Sequence, residues 1–279
     1  MKNILKIMLM MITIFTIAGS AVYAAEIPVS DQDQLITSSD WTEISNLQDE
    51  MKKEEPDATI DYDKALKVYV DCNLIKLQTA DTKKLTSALE SANYVWVIPF
   101  KMEKTYGMFT VAKGLPLSEE AKSVLTKAEQ EEVKNHAGKW MITETAEHTV
   151  EPYYDILLEK REALSDCTRV VLVGSQPGMR QPVALGMDDE TARIWISLGY
   201  QYPVMEKIPE TQNVESGVYS FDSVAEISDT YIEDSEVSTG AGVQSRSSMK
   251  YVAGIGIVLI GGILILSVLK KKKIRIKFF

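Results

Sequence analysis

Apolar and polar positions change rhythm along this chain, and the rhythm predicts its parts. The longest unbroken apolar run is Tyr251 to Leu269, nineteen residues without a charge, followed at once by Lys270-Lys271-Lys272-Lys273. At helical rise it reaches about 28 Å, the hydrocarbon thickness of a bilayer, so residues 250–269 are predicted to form a transmembrane helix. A helix buried in a protein core is rarely apolar on every face over that length, and does not stop at four lysines. A second run, Ile4 to Ala18, is flanked by Lys2 and Lys6 and ends in Gly19-Ser20-Ala21-Val22-Tyr23-Ala24-Ala25. That order makes residues 1–24 a secretory signal peptide, cleaved after Ala24 or Ala25; an uncleaved anchor is the rival reading.

Between the two runs the pattern alternates between helix and strand periods. Residues 25–61 are polar, with Trp41, Ile44, Leu47 and Met51 at near-helical spacing after Ser38-Ser39-Asp40, which predicts a peripheral helix. The folded body is placed at 62–201. Leu66, Val68, Val70, Cys72 and Leu74 alternate as a strand with one buried face, and Asp81 caps a helix carrying Leu85, Ala88, Leu89 and Ala92. Tyr94–Lys101 and Tyr106–Ala112 read as strands joined by a hairpin over Met102-Glu103-Lys104-Thr105. Ser118 starts one short helix, and the capping box Thr126-Lys127-Ala128-Glu129 starts another that Gly138 closes. Lys139–Glu144 follows as a strand, Pro152 opens a helix through Leu164, and Arg169–Val173, Val183–Met187 and Arg193–Leu198 are strands. The class is α+β with an antiparallel sheet. At an offset of 75, Leu89–Val97 falls on Leu164–Leu172, each a helix running into a strand, which reads as two diverged βαββ units. Any α+β chain shows such echoes, and that alternative stays open.

Residues 202–249 thin out. Pro203 to Met249 holds nine acidic residues against Lys207 and Arg246, which predicts a self-repelling stalk, with Val218–Phe221 as one more edge strand. The tail 270–279 is basic, so the body is placed outside the cell and the C-terminus in the cytoplasm. Such a tail is too short for a folded domain.

Charge narrows the partners. All forty acidic residues lie between the leader and the membrane run with twenty-one of the thirty basic ones, about −19 for the exported part against −10 for the chain. Such a surface is poorly suited to nucleic acid, which is not expected as a partner. The lipid bilayer is expected to be met through 251–269. Two cysteines, Cys72 and Cys167, are the minimum for one bridge in an oxidising compartment, and closing that loop is worth roughly 4–5 kcal/mol in the ideal case. A disulfide is therefore expected between them; two separate buried thiols are the alternative.

Catalytic patterns are missing from the sequence: no Gly-x-Ser-x-Gly, no Gly-Lys-Ser/Thr phosphate loop, no Cys-x-x-Cys and no His-Glu-x-x-His. His136 and His148 lack ligand spacing, so no metal and no cofactor is expected. Asp188-Asp189-Glu190-Thr191 reads as a turn. Trp96 and Trp195 lie on strands apolar on both faces and are expected inside; the other reading is an exposed platform for sugar rings or peptides.

The stretch Val170-Val171-Leu172-Val173-Gly174-Ser175-Gln176-Pro177-Gly178-Met179-Arg180-Gln181-Pro182-Val183-Ala184-Leu185, with the architecture around it, resembles uncharacterised surface proteins of Gram-positive bacteria. The resemblance covers mainly the body and implies no activity and no functional residues. The leader, late span and basic tail also resemble wall-sorted surface proteins, but Glu236-Val237-Ser238-Thr239-Gly240 has Val where their sorting motif has Pro. Permanent membrane anchoring is the expectation.

Within that stretch Pro177-Gly178 suits the centre of a type II turn, which sets Met179, Arg180 and Gln181 just past a hairpin tip as the candidate ligand-binding residues. Arg180 offers a fork of donors to a carboxylate or phosphate; its bland role is to neutralise acids of its own domain. The function expected is a non-catalytic binding module for an envelope or extracellular partner. An envelope hydrolase and an accessory subunit of a membrane complex are the alternatives.

Overall fold

The computed structural model describes residues 27–148, 151–174, 176, 179, 181–199, 205–209 and 213–228. The expected leader, most of the stalk, the membrane run and the basic tail lie outside the described residues. Among the described residues no helix is long and apolar enough to cross a membrane.

The fold is mixed α+β, built on one mostly antiparallel sheet. Its strands are β1 (Thr59–Ile60), β2 (Leu66–Tyr69), β3 (Tyr94–Lys101), β4 (Tyr106–Lys113), β5 (Trp140–His148), β6 (Arg169–Val173), β7 (Val183–Met187), β8 (Ala192–Ser197), β9 (Asn213–Glu215) and β10 (Val218–Ser220). They lie in the order β5-β4-β3-β2-β6-β7-β8-β10-β9, with β1 beside β3. Two antiparallel runs therefore meet at β2 and β6, which pair in parallel at Val68↔Leu172 and Tyr69↔Val173. The strand-helix-strand-strand order does occur twice along the chain, but its pairings differ. β2 lies next to β3, whereas β5 joins β4 at the far edge, four strands from β6. Sequence echo followed element order; pairing depends on long-range contacts that the echo does not encode.

β2 ends where Asp71 takes a positive φ of 60°, so the alternation read through Leu74 is cut short. The Met102–Thr105 hairpin closes through Met102 N–H to the Thr105 carbonyl, 2.9 Å. Asp81 caps the Thr82–Glu90 helix by accepting from Lys84 N–H at 3.0 Å, and Thr126 and Glu129 form the capping box of Lys127–His136.

Both faces of the sheet are covered. On one, the Thr82–Glu90 helix and helical residues 221–228 pack over β6, β7 and β8 through Leu85, Leu89, Phe221 and Val224. The same face continues over β3 and β4, where the short helices Trp41–Ile44 and Gln48–Glu54 bury Ile44 and Met51. On the other, the Tyr153–Glu159 helix packs Tyr153 and Leu157 against Val68, Val170, Leu172 and Ala184.

The folded unit exceeds the expected 62–201 at both ends. Residues 27–61 are not peripheral: Leu35, Ile44 and Met51 are fully enclosed. In residues 213–228 the expected strand forms as β10, covered by β9 and so not at the edge, and residues 221–228, most of them assigned by sequence to a stalk, are helical instead. Each segment has few apolar residues, but most of them, Ile36 and Val214 apart, are inserted, and insertion is a tertiary fact.

The N-terminal segment also completes the centre of the sheet. β2 and β6 touch only at their carboxyl ends, and residues 28–35 fill the wedge below. Val170 N–H donates to the Pro28 carbonyl at 2.7 Å, and Leu35 N–H to the Ala65 carbonyl at 3.1 Å. In passing, the chain crosses from one face to the other: Ile27 packs with Val170 and Leu172, Leu35 with Trp96 and Ile98.

Cys72 and Cys167 are not bridged. Both are free and buried, Cys72 among Leu74, Leu85 and Leu89, Cys167 with Leu164 and Ala184 on the opposite face. The expectation of a disulfide is corrected. β2 stops before Cys72, and Cys167 enters β6 from the other face, so the sheet separates them. Burial, the main cause in each, pushes both thiols up to about 11, which leaves them protonated and unreactive at neutral pH.

Candidate functional site

Two places on the molecule gather chemistry, and both lie at the β2–β6 junction. The first is the loop that follows β6, at the carboxyl ends of the parallel pair. Gly174 N–H donates to the Tyr69 carbonyl at 2.8 Å, continuing the pairing one residue past β6. Gln176 is buried and fully used: Nε2 donates to the carbonyls of Cys72 (2.6 Å) and Gly174 (2.9 Å), and Oε1 accepts from Leu74 N–H (3.0 Å). One side chain thus fastens the loop after β6 to the loop after β2. On the β2 side the positive-φ residue Asp71 is held by Asn93 Nδ2 at 2.9 Å.

The three expected ligand-binding residues separate here. Met179 is a core residue, 2 % exposed, packed with the cluster of Cys72, Leu74 and Val183. A thioether so enclosed cannot meet a ligand, so its role is corrected to that of a loop anchor. Gln181 is exposed. Arg180, with Pro177-Gly178, lies outside the described residues. Gln176, which sequence reading passed over, is the residue that gives the loop its footing.

The second place is a buried polar cluster under the N-terminal segment. Asp33 is 2 % exposed. Its Oδ2 accepts from the Ser30 hydroxyl at 2.6 Å and from Arg169 Nη2 at 3.0 Å, and its Oδ1 accepts from the Tyr69 hydroxyl at 2.7 Å. Lys67 Nζ stands 3.8 Å from Oδ1. Around that ammonium are the rings of Tyr94 (4.5 Å to centroid), Trp96 (5.3 Å) and Tyr69 (5.8 Å), a cation–π enclosure. Asp40 completes the wall: its Oδ2 accepts from the Tyr94 hydroxyl at 2.8 Å and from Trp96 Nε1 at 3.0 Å. Asp40 precedes the Trp41–Ile44 helix but makes no capping bond, because its carboxylate serves the rings instead.

Electrostatics follow from the enclosure. Burial lowers the Lys67 pKa and Arg169 adds to this, while Asp33 and Asp40 oppose it. Tyr69 is raised, chiefly by burial and then by Asp33; Tyr94 is raised by burial and then by Asp40. Arg169 Nε is buried without a partner among the described residues. Sequence reading missed this cluster because Lys67 sits in Leu66-Lys67-Val68-Tyr69, where alternation assigns it to solvent. The available signal was a lysine in a strand whose flanking residues are apolar on both faces.

The remaining candidates are ordinary. Trp96 and Trp195 are fully buried, so neither is an exposed platform. Asp188 forms the expected turn, accepting from Glu190 and Thr191 N–H at 2.8 and 2.6 Å and pairing with Arg193. His136 sits in the last turn of its helix with Nδ1 2.9 Å from the Glu132 carbonyl. Among the described residues no group of three His, Cys, Asp or Glu side chains is placed to hold a metal ion. Compared with known proteins, the chain matches no protein-family model, no curated protein and no solved structure.

Proposed function

We propose that this chain is a single-pass membrane protein whose body stands outside the cell and binds an envelope or extracellular partner without catalysing a reaction. The apolar run 251–269 with its four following lysines supports the anchor, and the leader-like start supports export. The observation that carries the binding reading is the anchorage of the 174–182 loop. Gln176 and Met179 fasten it from inside while Gln181 faces solvent. A loop with buried footings loses little freedom when a partner meets its exposed residues, which favours binding. Arg180 is the residue in it with the donors to hold an acidic group.

The test uses the full chain in detergent, mixed with envelope material from its own cells. Arg180→Ala combined with Gln181→Ala is expected to lower retention at least tenfold while the melting temperature stays nearly unchanged. Equal retention removes the loop from consideration. For topology, a reporter active only in the cytoplasm is expected to work when fused after Phe279, and protease added to intact cells, wall removed, is expected to trim the body. A protected body reverses the orientation.

A further inference from the structure

We propose that Lys67 and Asp33 are the two halves of an intramolecular amide bond that the chain forms by itself, covalently tying the N-terminal segment to β2. The proposal stands apart from the binding reading and rests on the geometry of the buried cluster.

On the amine side, Lys67 Nζ lies 3.8 Å from Asp33 Oδ1 and makes no hydrogen bond to another described residue. Three aromatic rings wall it in, and the residue as a whole is only 9 % exposed. Burial favours the neutral amine, the form that can attack a carbonyl carbon. On the acid side, Asp33 Oδ2 receives the Ser30 hydroxyl and Arg169 Nη2, two donors aimed at the oxygen that carries charge in a tetrahedral intermediate. Oδ1, facing Lys67 and bonded by the Tyr69 hydroxyl, is the oxygen placed to leave.

The step balances within the pair. One proton passes from the Lys67 ammonium to Oδ1, and the neutral amine nitrogen bonds to Cγ. A second proton follows from nitrogen to Oδ1, the Cγ–Oδ1 bond breaks, and water departs. The ammonium supplies both protons and the carboxylate supplies the oxygen, so no oxidant, reductant or cofactor takes part. One positive and one negative charge disappear from the interior, which removes the desolvation cost of burying them. Arg169 and Asp40 remain as the charged members of the cluster. The product staples the segment that fills the β2–β6 wedge, so that it cannot be withdrawn.

The full chain, recovered as expressed, is denatured, digested with trypsin and examined by mass spectrometry. The expected result is a branched peptide joining the segment with Asp33 to the segment with Lys67, one water lighter than their sum, with no cleavage after Lys67. Lys67→Arg keeps the charge and is expected to abolish the branch. Asp33→Asn is expected to restore the same branch with ammonia as the leaving molecule, a readout that a purely structural role does not produce. Recovery of the two wild-type peptides separately overturns the proposal. So does a branch on Asp40 in place of Asp33, or one that survives Lys67→Arg.

Discussion

Arg169 at the start of β6 donates through Nη2 to Asp33 Oδ2 at 3.0 Å, although the two residues stand 136 positions apart in the chain. That contact joins the first described turn of the molecule to the strand that begins its second half. It also accounts for a cationic residue at the edge of an apolar core: without Asp33, Arg169 and Lys67 share the interior with no adjacent counter-charge but Asp40.

Asp33→Ala is therefore expected to be among the most damaging single substitutions. Without Asp33 the charges of Lys67 and Arg169 are left buried and uncompensated, a loss of about 3–5 kcal/mol. Denaturant unfolding measures it. A loss below about 1 kcal/mol, the scale of a surface pair, shows that water reaches the cluster freely.

Leu35→Ala distinguishes an inserted N-terminal segment from one laid on the outside. Leu35 is fully buried against Trp96 and Ile98 beneath the wedge. Truncation there is expected to cost about 2–5 kcal/mol, the range for buried leucines. An effect of a few tenths, measured by the same unfolding experiment, returns the segment to the periphery.

The two thiols give a labelling result and a pH dependence. Alkylation of the denatured, unreduced chain is expected to modify both Cys72 and Cys167, and alkylation of the native chain neither. Burial holds both folded thiols near 11 against an ordinary value of 9.0. Above pH 9 the unfolded chain sheds protons that the folded chain keeps, so this contribution to stability is complete below pH 9 and fades as pH rises through 11. Melting temperature between neutral pH and pH 11 is expected to fall less steeply in the Cys72→Ala, Cys167→Ala double variant. Equal slopes reject the thiols as the cause.

Gly186→Ala tests packing on the covered face of β7. A Cβ at Gly186 meets Cys167 Sγ at 2.8 Å and Ile194 Cγ1 at 2.9 Å, both enclosed. Overpacking is expected to cost about 1–3 kcal/mol. Pairing the change with Cys167→Ala is expected to restore part of the loss, and its failure to do so places the strain elsewhere.

Local chemistry was legible from the sequence. Asp81, Ser118 and Thr126 cap helices as read, because a cap needs only a short polar side chain and the next few backbone N–H groups. The Met102–Thr105 hairpin and the Asp188 turn are local in the same sense. The α+β class followed from periods of two and 3.6, which record which faces are buried.

What the sequence by itself determined, then, was the helix caps, the hairpin and most strands and helices of the body, since these depend on contacts within a few residues. Tertiary structure alone decided the rest. It set β5 beside β4, paired β2 with β6, and drew residues 28–35 into the gap between them. It put Cys72 and Cys167 on opposite faces of the sheet and turned Met179 inward. It also brought Asp33 to Lys67, a contact that neither local pattern announces. Lys67 alternates as a solvent residue would, and becomes an interior one only because a distant segment folds over it with a carboxylate. Burial is a property of the whole chain, and a charge can be inside only where a partner from elsewhere arrives to meet it.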